Sequence, residues 1–574
     1  MDFLCGSLRV VLYEKLINTT TMKTTLLLFA GLITGLTQAQ TFNYLDINQV
    51  KARVNSGGDL HWDPNTGNFS GYECPIGSNR HWGGPAGLWF GGLDVGGQLH
   101  LAAQTYHQSG VDFWPGPLTT NDATTDSAVV SQYNRVWKLN KSDIDDFITN
   151  YANGNIQNGS FIPVADLISW PGNGDISQNQ DSQLAPYFDT NGDNIYDPVG
   201  AGDYPLIKGD QAIYTIFNDN YLLHQSSAAK AIGAEIHLMA YAYGPCSITS
   251  SNSFLNYTTF YNYKIINRNS FAFLNSYVSL FNDSDVGSLN NNVGCDVTDH
   301  YGYIYNNAMP SNQPAVGVVQ LKGPLNTTNG IDDNADGSSD EPGEQMSMTG
   351  FMYFNNSFAG IPVSQSDPSQ AFEYFQYMLG YWKDGTPLTC GSNGYGGSTQ
   401  TKFAYSGNTD LNGPCGTSNW TETGTGSDKR FVTNSGPYDM LPGSITELEY
   451  AYITSFDSIT NDPLGKLDTD VQNVHAIYNS SLNQCLTTGI KEQNLTTQFI
   501  IAPNPTNGIL NISSSLKNTT IRIEVIDALG KVLLSEDHKE FNQTSINVVH
   551  LSSGIYFLKL SSENNTSTKK FIKE

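Results

Sequence analysis

Two acidic loops hold the residues whose types and spacing come nearest to working chemistry. The first runs Asp189-Thr190-Asn191-Gly192-Asp193-Asn194-Ile195-Tyr196-Asp197, and the second Asp332-Asp333-Asn334-Ala335-Asp336-Gly337-Ser338-Ser339-Asp340-Glu341. Asp189, Asn191, Asp193 and Asp197 stand at loop positions 1, 3, 5 and 9 of the first, and Asp332, Asn334, Asp336 and Asp340 at those of the second. Calcium takes about six to eight hard oxygens, and alternate residues of a curled loop point inward, so this spacing is that of a calcium loop. Gly337 fills the sixth position of the second loop; the first has Asn194 there, which tolerates a left-handed backbone less readily. Position 12 is Gly200 in one and Gly343 in the other, so a bidentate carboxylate has to come from elsewhere, with Asp203, Glu341 and Glu344 as candidates. The flanks lack a helix–loop–helix pattern. The expectation is structural calcium in β-loops, against the plainer reading of solvated acidic turns built from ordinary turn residues. Asp283, Asp285 and Asp296, around an Asn-Asp-Ser-Asp-Val-Gly turn, form a third candidate group.

Other chemistry leaves little trace. The ten histidines are scattered, Glu235-Ile236-His237 is not part of H-E-x-x-H, and neither G-x-S-x-G nor a phosphate loop occurs. Cys295 has only His300 near it in sequence and reads as paired or buried, not nucleophilic. A glycosidase needs just two acids in a cleft, and the middle of the chain has too many for any pair to stand out. Trp82, Trp89, Trp114 and Trp170 could stack on sugar rings, although core packing around glycine-rich turns is the plainer account.

The elements that must position these residues read as strands. The chain has 574 residues, with 55 Gly, 31 Tyr and 27 Phe and only 14% charged residues, which exceeds one ordinary core and suits an all-β protein with long connections. The expected class is mainly β: a large β-rich passenger region with a few short helices, then a small Ig-like β-sandwich. A glycine- and tryptophan-rich β region covers 40–155 and a β-rich core with acidic loops 156–483; a linker follows at 484–498 and the last domain at 499–574. Ser142-x-x-Asp145 predicts the start of a short helix. Asp367-Pro368 predicts a helix through Phe372 and Phe375 that ends at Gly380. Leu467, Val471, Val474 and Ile477 predict another over 464–481, packed on a sheet. No repeat of fixed period is visible.

The formal net charge is −26, and residues 40–498 carry more than all of it, with 17 basic and 45 acidic side chains. Such a field repels nucleic acid and anionic membranes while suiting divalent cations and solubility. Residues 22–39 have Lys23, the apolar run Leu26–Leu36 and Thr37-Gln38-Ala39, the pattern of a secretory signal peptide. Met22 then reads as the true start and 1–21 as a mis-called extension, and no other run is apolar enough for a transmembrane anchor in the mature chain. Beyond Cys5 six cysteines remain, so disulfides are permitted in an exported chain; Cys390 with Cys415, joined by a glycine-rich stretch, is the favoured pair.

The final segment alternates clearly, with Ile521, Ile523 and Val525 against Arg522 and Glu524. Asp527-Ala528-Leu529-Gly530 reads as a hairpin turn and Ser552-Ser553-Gly554 as another, so about seven short strands predict a small sandwich. Pro503-Asn504-Pro505 with Gly508, Asp527 to Gly530, Gly554 with Tyr556, and the basic Lys569-Lys570 carry a family resemblance. This segment resembles the type A C-terminal sorting domain of the type IX secretion system of Bacteroidota. The resemblance implies passage by way of the periplasm through the outer membrane, followed by surface attachment or release. It also implies the secretion machinery as a partner through residues 499–574. The middle strings, among them GLWFGGLD and GDYPLIKGDQAIY, are similar to large exoproteins that carry the same domain, which supports export and adds no chemistry.

The residues favour an exported surface or secreted protein with a binding, adhesion or structural role, its loops held by calcium. A secreted glycan-binding protein with a glycan or surface partner, or a hydrolase of polysaccharide or protein, is the alternative. A cleft with two acids about 5–10 Å apart would mark the hydrolase, and exposed, coplanar tryptophans the glycan binder.

Overall fold

The computed structural model describes residues 39–573 except 246, 308–312, 326–344, 358–359, 417, 479–499, 503, 514–518, 528–530, 542 and 563–564. The chain divides into two units, one of Met1–Ile144 with Gly154–Asn479 and one of Asp145–Asn153 with Ser480–Glu574.

Aromatic and β-branched runs at period two build the first unit round two large antiparallel sheets, beside a small four-stranded sheet of Phe42–Leu45, Lys51–Asn55, Tyr72–Glu73 and His81–Gly83 and the short pair Tyr187–Phe188 and Tyr204–Pro205. The larger runs in the order Asn292–Asp296, Tyr301–Tyr305, Ala315–Lys322, Ile445–Ser455, Thr258–Asn267, Ala234–Ala242, Gln211–Asn218, Trp114–Pro115, and Trp137–Asn140 also pairs with Gln211–Asn218. The smaller runs Gly350–Asn355, Lys429–Met440, Phe273–Asn282, Ala86–Leu93, Leu99–Ala103. One face of each meets the other. A Cβ added to Gly302 would strike the rings of Phe351 and Phe431, and Ser435 Oγ donates to Gln320 Oε1 across the gap at 2.7 Å. Ile236, Leu238, Tyr263, Val278, Leu280 and Phe431 are among the residues of a single buried core. The division drawn at residue 155 therefore does not separate two bodies: Ala86–Leu93 pairs with Phe273–Asn282 inside one sheet.

The far face of the smaller sheet is covered by the helix Ala371–Leu379. Its Tyr377 ring stacks on Phe354 at 4.8 Å and its Tyr374 ring meets Trp89 edge-on at 4.8 Å. Gly380 ends it in the left-handed conformation, as expected (φ 81°). The start is later than Asp367-Pro368 predicts, with Gln370 at the N-cap, and Ser369 N and Oγ donate to the Glu373 side chain of the first turn. The helix Lys141–Ala152 contains the expected Ser142 and Asp145, and at its start Asp143 accepts from Asn140 N. The helix Pro463–Ile477 buries Leu467, Val471 and Val474, and Leu467 packs over Gly317 of the larger sheet. No helix among the described residues is long and apolar enough to cross a membrane.

The described residues of the second unit form seven strands in two sheets, Ile500–Ala502, Ile509–Ser513 and Gln543–Asn547 in one and Thr519–Asp527, Val532–Phe541, Gly554–Ser562 and Asn565–Lys573 in the other. Its core is Leu510, Ile512, Ile523, Val525, Ile546, Val548, Leu558, Leu560 and Phe571. Thr519–Asp527 and Val532–Phe541 form the expected hairpin. Ser552-Ser553-Gly554 does not make a second one: the strands either side of it belong to different sheets, so it carries the chain across the sandwich.

Candidate functional site

The first acidic loop is tied by its own backbone. Asp189 accepts from Gly192 N and Asn194 N, both at 2.7 Å, and Asp193 from Ile195 N and the Asn191 side chain. Asp197 accepts from Gly200 N. These are Asx-type turns; desolvation is the largest single effect on the Asp189 carboxyl and would raise its pKa, but the loop amides together outweigh it and hold it below the ordinary range. Buried Asp203, a candidate bidentate ligand, closes the loop by accepting from Thr190 N and Asp197 N at 2.8 Å each. Among the described residues no three His, Cys, Asp or Glu side chains are grouped to hold a metal ion. The second loop, with Asp332, Asn334, Asp336, Asp340, Glu341, Gly343 and Glu344, lies outside the described residues.

The third acidic group is split. Asp296 accepts from Thr298 N and Asp299 N in a turn of its own. Asp283 and Asp285 join a different cluster, which the spacing of the sequence did not reveal. Opposite residues of antiparallel strands share a face, and Phe281 pairs with Val432 and Phe354 with Arg430. Two residues on from Phe281 stands Asp283, two before Arg430 stands Asp428, and two beyond Phe354 stands Asn356. Three strand ends thus bring their polar residues to one corner of the smaller sheet, on the side covered by Ala371–Leu379.

Arg430 is the centre of this corner and only 6% exposed. Its Nε donates to the Tyr106 hydroxyl at 2.5 Å and lies 3.3 Å from Asp283 Oδ1 and 3.7 Å from Asp367 Oδ1. Its Nη1 donates to the Asp428 carboxylate. Tyr106 donates in turn to Asp283 Oδ2 at 2.9 Å, and Asn356 Nδ2 to Asp428 Oδ2 at 3.0 Å. Burial pushes the Asp283 carboxyl up to about 7, with Arg430 opposing and Asp285 adding. Asp285 rises to about 6 through burial and then Asp428. Burial works against the Arg430 charge, but Tyr106, Asp283, Asp367 and Asp428 together raise its pKa.

A cavity of about 250 Å³ opens on this group, walled by Phe69, Trp89, Phe354 and Tyr374 and faced by Asp367 and Arg430. Trp89, Phe281 and Phe354 form a stack of near-parallel rings beneath it, 5.3 and 6.0 Å apart from Trp89. Trp82, Trp89, Trp114 and Trp170 are all buried, so none is a surface platform for a sugar, and core packing accounts for them. Their indole N–H groups support this where they bond backbone carbonyls of Cys74, Gln104 and Pro186.

Cys390 and Cys415 form the expected disulfide, with Cα atoms 5.5 Å apart. Cys74 and Cys295 are free and buried; burial pushes the Cys74 thiol up to about 12 and raises that of Cys295, which suits neither as a nucleophile. Glu235 and His237, adjacent on one strand face, form a buried network in which the carboxylate accepts from His237 and Arg268, and Tyr214 meets the other His237 nitrogen at 2.6 Å.

In the second unit the motif residues hold the sandwich together. Asn504 Oδ1 accepts from Ile572 N at 2.8 Å, and a Cβ on Gly508 would collide with Val549. Tyr556 donates to Ser552 O and stacks on Phe571 at 5.7 Å. Pro505 and Lys569 are exposed. Asp527 and Lys570 contribute to the strand ladders through their backbones, paired with Tyr556 and Phe557. Pro503 and Gly530 lie outside the described residues, as do residues 1–38 with the expected signal peptide.

Residues 500–574 match the family described as the secretion system C-terminal sorting domain. The chain is accordingly a cargo of the type IX secretion system, bound for the outer cell surface or the medium, and its last domain engages the secretion machinery. No curated protein shows significant similarity to it. Among solved structures it is similar to a DUF3244-family protein with an immunoglobulin-like β-sandwich from Bacteroides vulgatus, at 18% identity over 13% of this chain and 83% of that one, with a TM-score of 0.12. It is also similar to a polysaccharide lyase, at 6% identity over 59% of this chain and 34% of that one with a TM-score of 0.16. The BSP domain of a biofilm-associated protein aligns at 12% identity over 63% of this chain and 59% of that one, with a TM-score of 0.13. Alignments this loose do not speak to function.

Proposed function

We propose that the two-sheet passenger is a non-catalytic binding module, exported with the help of an N-terminal signal peptide at 22–39 and used at the cell surface or in the medium. The observation that supports it is Arg430. Acids and a phenol fix its Nε and Nη1, while Nη2 makes no hydrogen bond to a described residue and the side chain lines an aromatic-walled cavity. A rigid donor held in this way orients a ligand at little entropic cost. Calcium is proposed as a further stabiliser of the Asp189–Asp197 loop, since a carboxylate that accepts one amide per oxygen keeps lone pairs for a metal.

A hydrolase is the second reading. Asp283 and Asp367 flank the same guanidinium nitrogen, and one of them holds its proton to about 7. Against it, Asp283 is not in the cavity wall. Labelled mature protein added to host cells that lack the gene tests the two. Saturable attachment, lost in Phe69→Ala and without release of reducing ends, is the expected result. Failure to attach, or reducing ends released by the protein and lost in Asp367→Asn, would overturn the binding reading.

A further inference from the structure

The cavity's lining also narrows the class of ligand, an inference that rests on the binding reading above. Its charges are mixed. Arg430 lines it, and its Nη2 makes no hydrogen bond to a described residue, so a cationic ligand would meet a like charge. Asp367 lines the same space, its Oδ1 buried 3.7 Å from Arg430 Nε and without a hydrogen-bond partner among the described residues, so an anion would meet a carboxylate. Asn356 adds a side-chain oxygen that accepts no hydrogen bond from a described residue, its amide being spent on Asp428. A neutral ligand with donors and acceptors on adjacent atoms satisfies each group with its match, and vicinal hydroxyls have that pattern.

The walls set the rest. Phe69 is 49% exposed, lines the cavity and is braced from behind by Trp62, whose ring stacks on it at 5.8 Å, and by the Tyr106 ring edge at 6.0 Å. It offers a fixed apolar face at the mouth, suited to the C–H face of a ring while the hydroxyl edge turns to Arg430 and Asp367. A cavity of about 250 Å³ is below the ~300–1,000 Å³ of pockets for drug-sized ligands and takes one ring, with room at the open mouth for a chain to continue. We propose that this cavity binds a single neutral pyranose ring, its vicinal hydroxyls on Arg430 and Asp367 and its apolar face on Phe69.

The test is saturation-transfer NMR on the mature chain with the methyl glycosides of glucose, galactose, mannose, xylose and N-acetylglucosamine, and with methylguanidinium and methyl phosphate as charged probes. At least one glycoside should bind saturably, and Phe69→Ala and Asp367→Asn should each weaken it about tenfold or more. Phe69→Ala removes a half-exposed ring, and unchanged thermal unfolding of that variant keeps its loss of binding interpretable. Binding of a charged probe alone, abolished by Phe69→Ala, would overturn the sugar assignment and leave the binding module standing. Binding of no probe, or glycoside binding indifferent to both variants, would overturn the assignment together with the cavity's role.

Discussion

The Tyr106 hydroxyl donates to Asp283 Oδ2 at 2.9 Å across 177 residues of sequence. That phenol also accepts from Arg430 Nε, so one hydroxyl fixes an acid and a base that face each other at 3.3 Å. Burial raises the phenol's pKa well above its ordinary value, with Asp283 adding and Arg430 opposing, which keeps Tyr106 a donor across the physiological range.

Arg430→Met should destabilise the passenger by about 3–5 kcal/mol, the usual cost of leaving buried partners of an ion pair without compensation. Asp283, Asp428 and Asp367 are the groups left behind. Chemical denaturation at pH 7 measures it. The deficit should shrink at pH 5, where Asp283 and Asp285 take up protons; an equal deficit at both pH values would contradict the assignment.

Asp283 should make the passenger less stable as the pH rises. Its folded pKa of about 7 lies above the ~4 of a free aspartate, so the folded state keeps a proton that the unfolded state releases. Stability then declines from pH ~4 to about 7 and levels off above, by on the order of a few kcal/mol. Asp285, raised to about 6, acts in the same direction. In Asp283→Asn the denaturation midpoint should vary less between pH 5 and 8 than in the wild type. A variant with the wild-type slope would show that Asp283 is already ionised.

Glu235 has the opposite sign. Burial alone would raise its pKa, but His237 and Arg268 overcome that and hold it down at about 2. Its contribution is present above the ordinary glutamate range and is lost as the pH falls from ~4.5 to ~2. Glu235→Gln should cost about 3–5 kcal/mol at pH 7 by stranding Arg268, and the variant should lose little more on acidification through that window. Urea melts at pH 7 and pH 3 distinguish this from a surface role, in which the variant would match the wild type.

Calcium at the first loop predicts a thermal shift. Metal that binds only the folded state adds about 2.7 kcal/mol at a hundred times its dissociation constant. The unfolding midpoint should rise in excess calcium, fall in chelator, and lose part of its response in Asp193→Ala. A midpoint indifferent to calcium in the wild type would leave Asp189 and Asp193 as turn formers alone.

Features governed by neighbours along the chain were legible from the residues in order. The alternation of Ile523 and Val525 against Arg522 and Glu524 marks the buried and exposed faces of one strand: both apolar side chains are fully buried, and Arg522 pairs with Asp537 on the neighbouring exposed strand. Leu467, Val471 and Val474 likewise mark one face of a helix, Gly380 a helix end, and Cys390 a partner only a short loop away. Each signal has the period of the backbone's own hydrogen bonding, which any segment expresses in its sequence. Where two local readings competed, tertiary partners chose: Asp367 had the place of a helix cap, yet its carboxylate is held by Ser357 and faces the cavity, so the helix starts beyond it.

The corner around Arg430 had no such signal. Tyr106, Asp283, Asp367 and Arg430 are spread over more than three hundred residues; Asp283 read as part of a calcium group and Asp367 as a helix start, and nothing in the order of residues joins either to Tyr106 or Arg430. The secretion route, the β class and the disulfide were therefore determined by the sequence itself. Which charges meet was decided only when antiparallel pairing set Phe354 opposite Arg430 and Phe281 opposite Val432, because register between distant strands follows from the burial of whole faces and not from the spacing of any few residues.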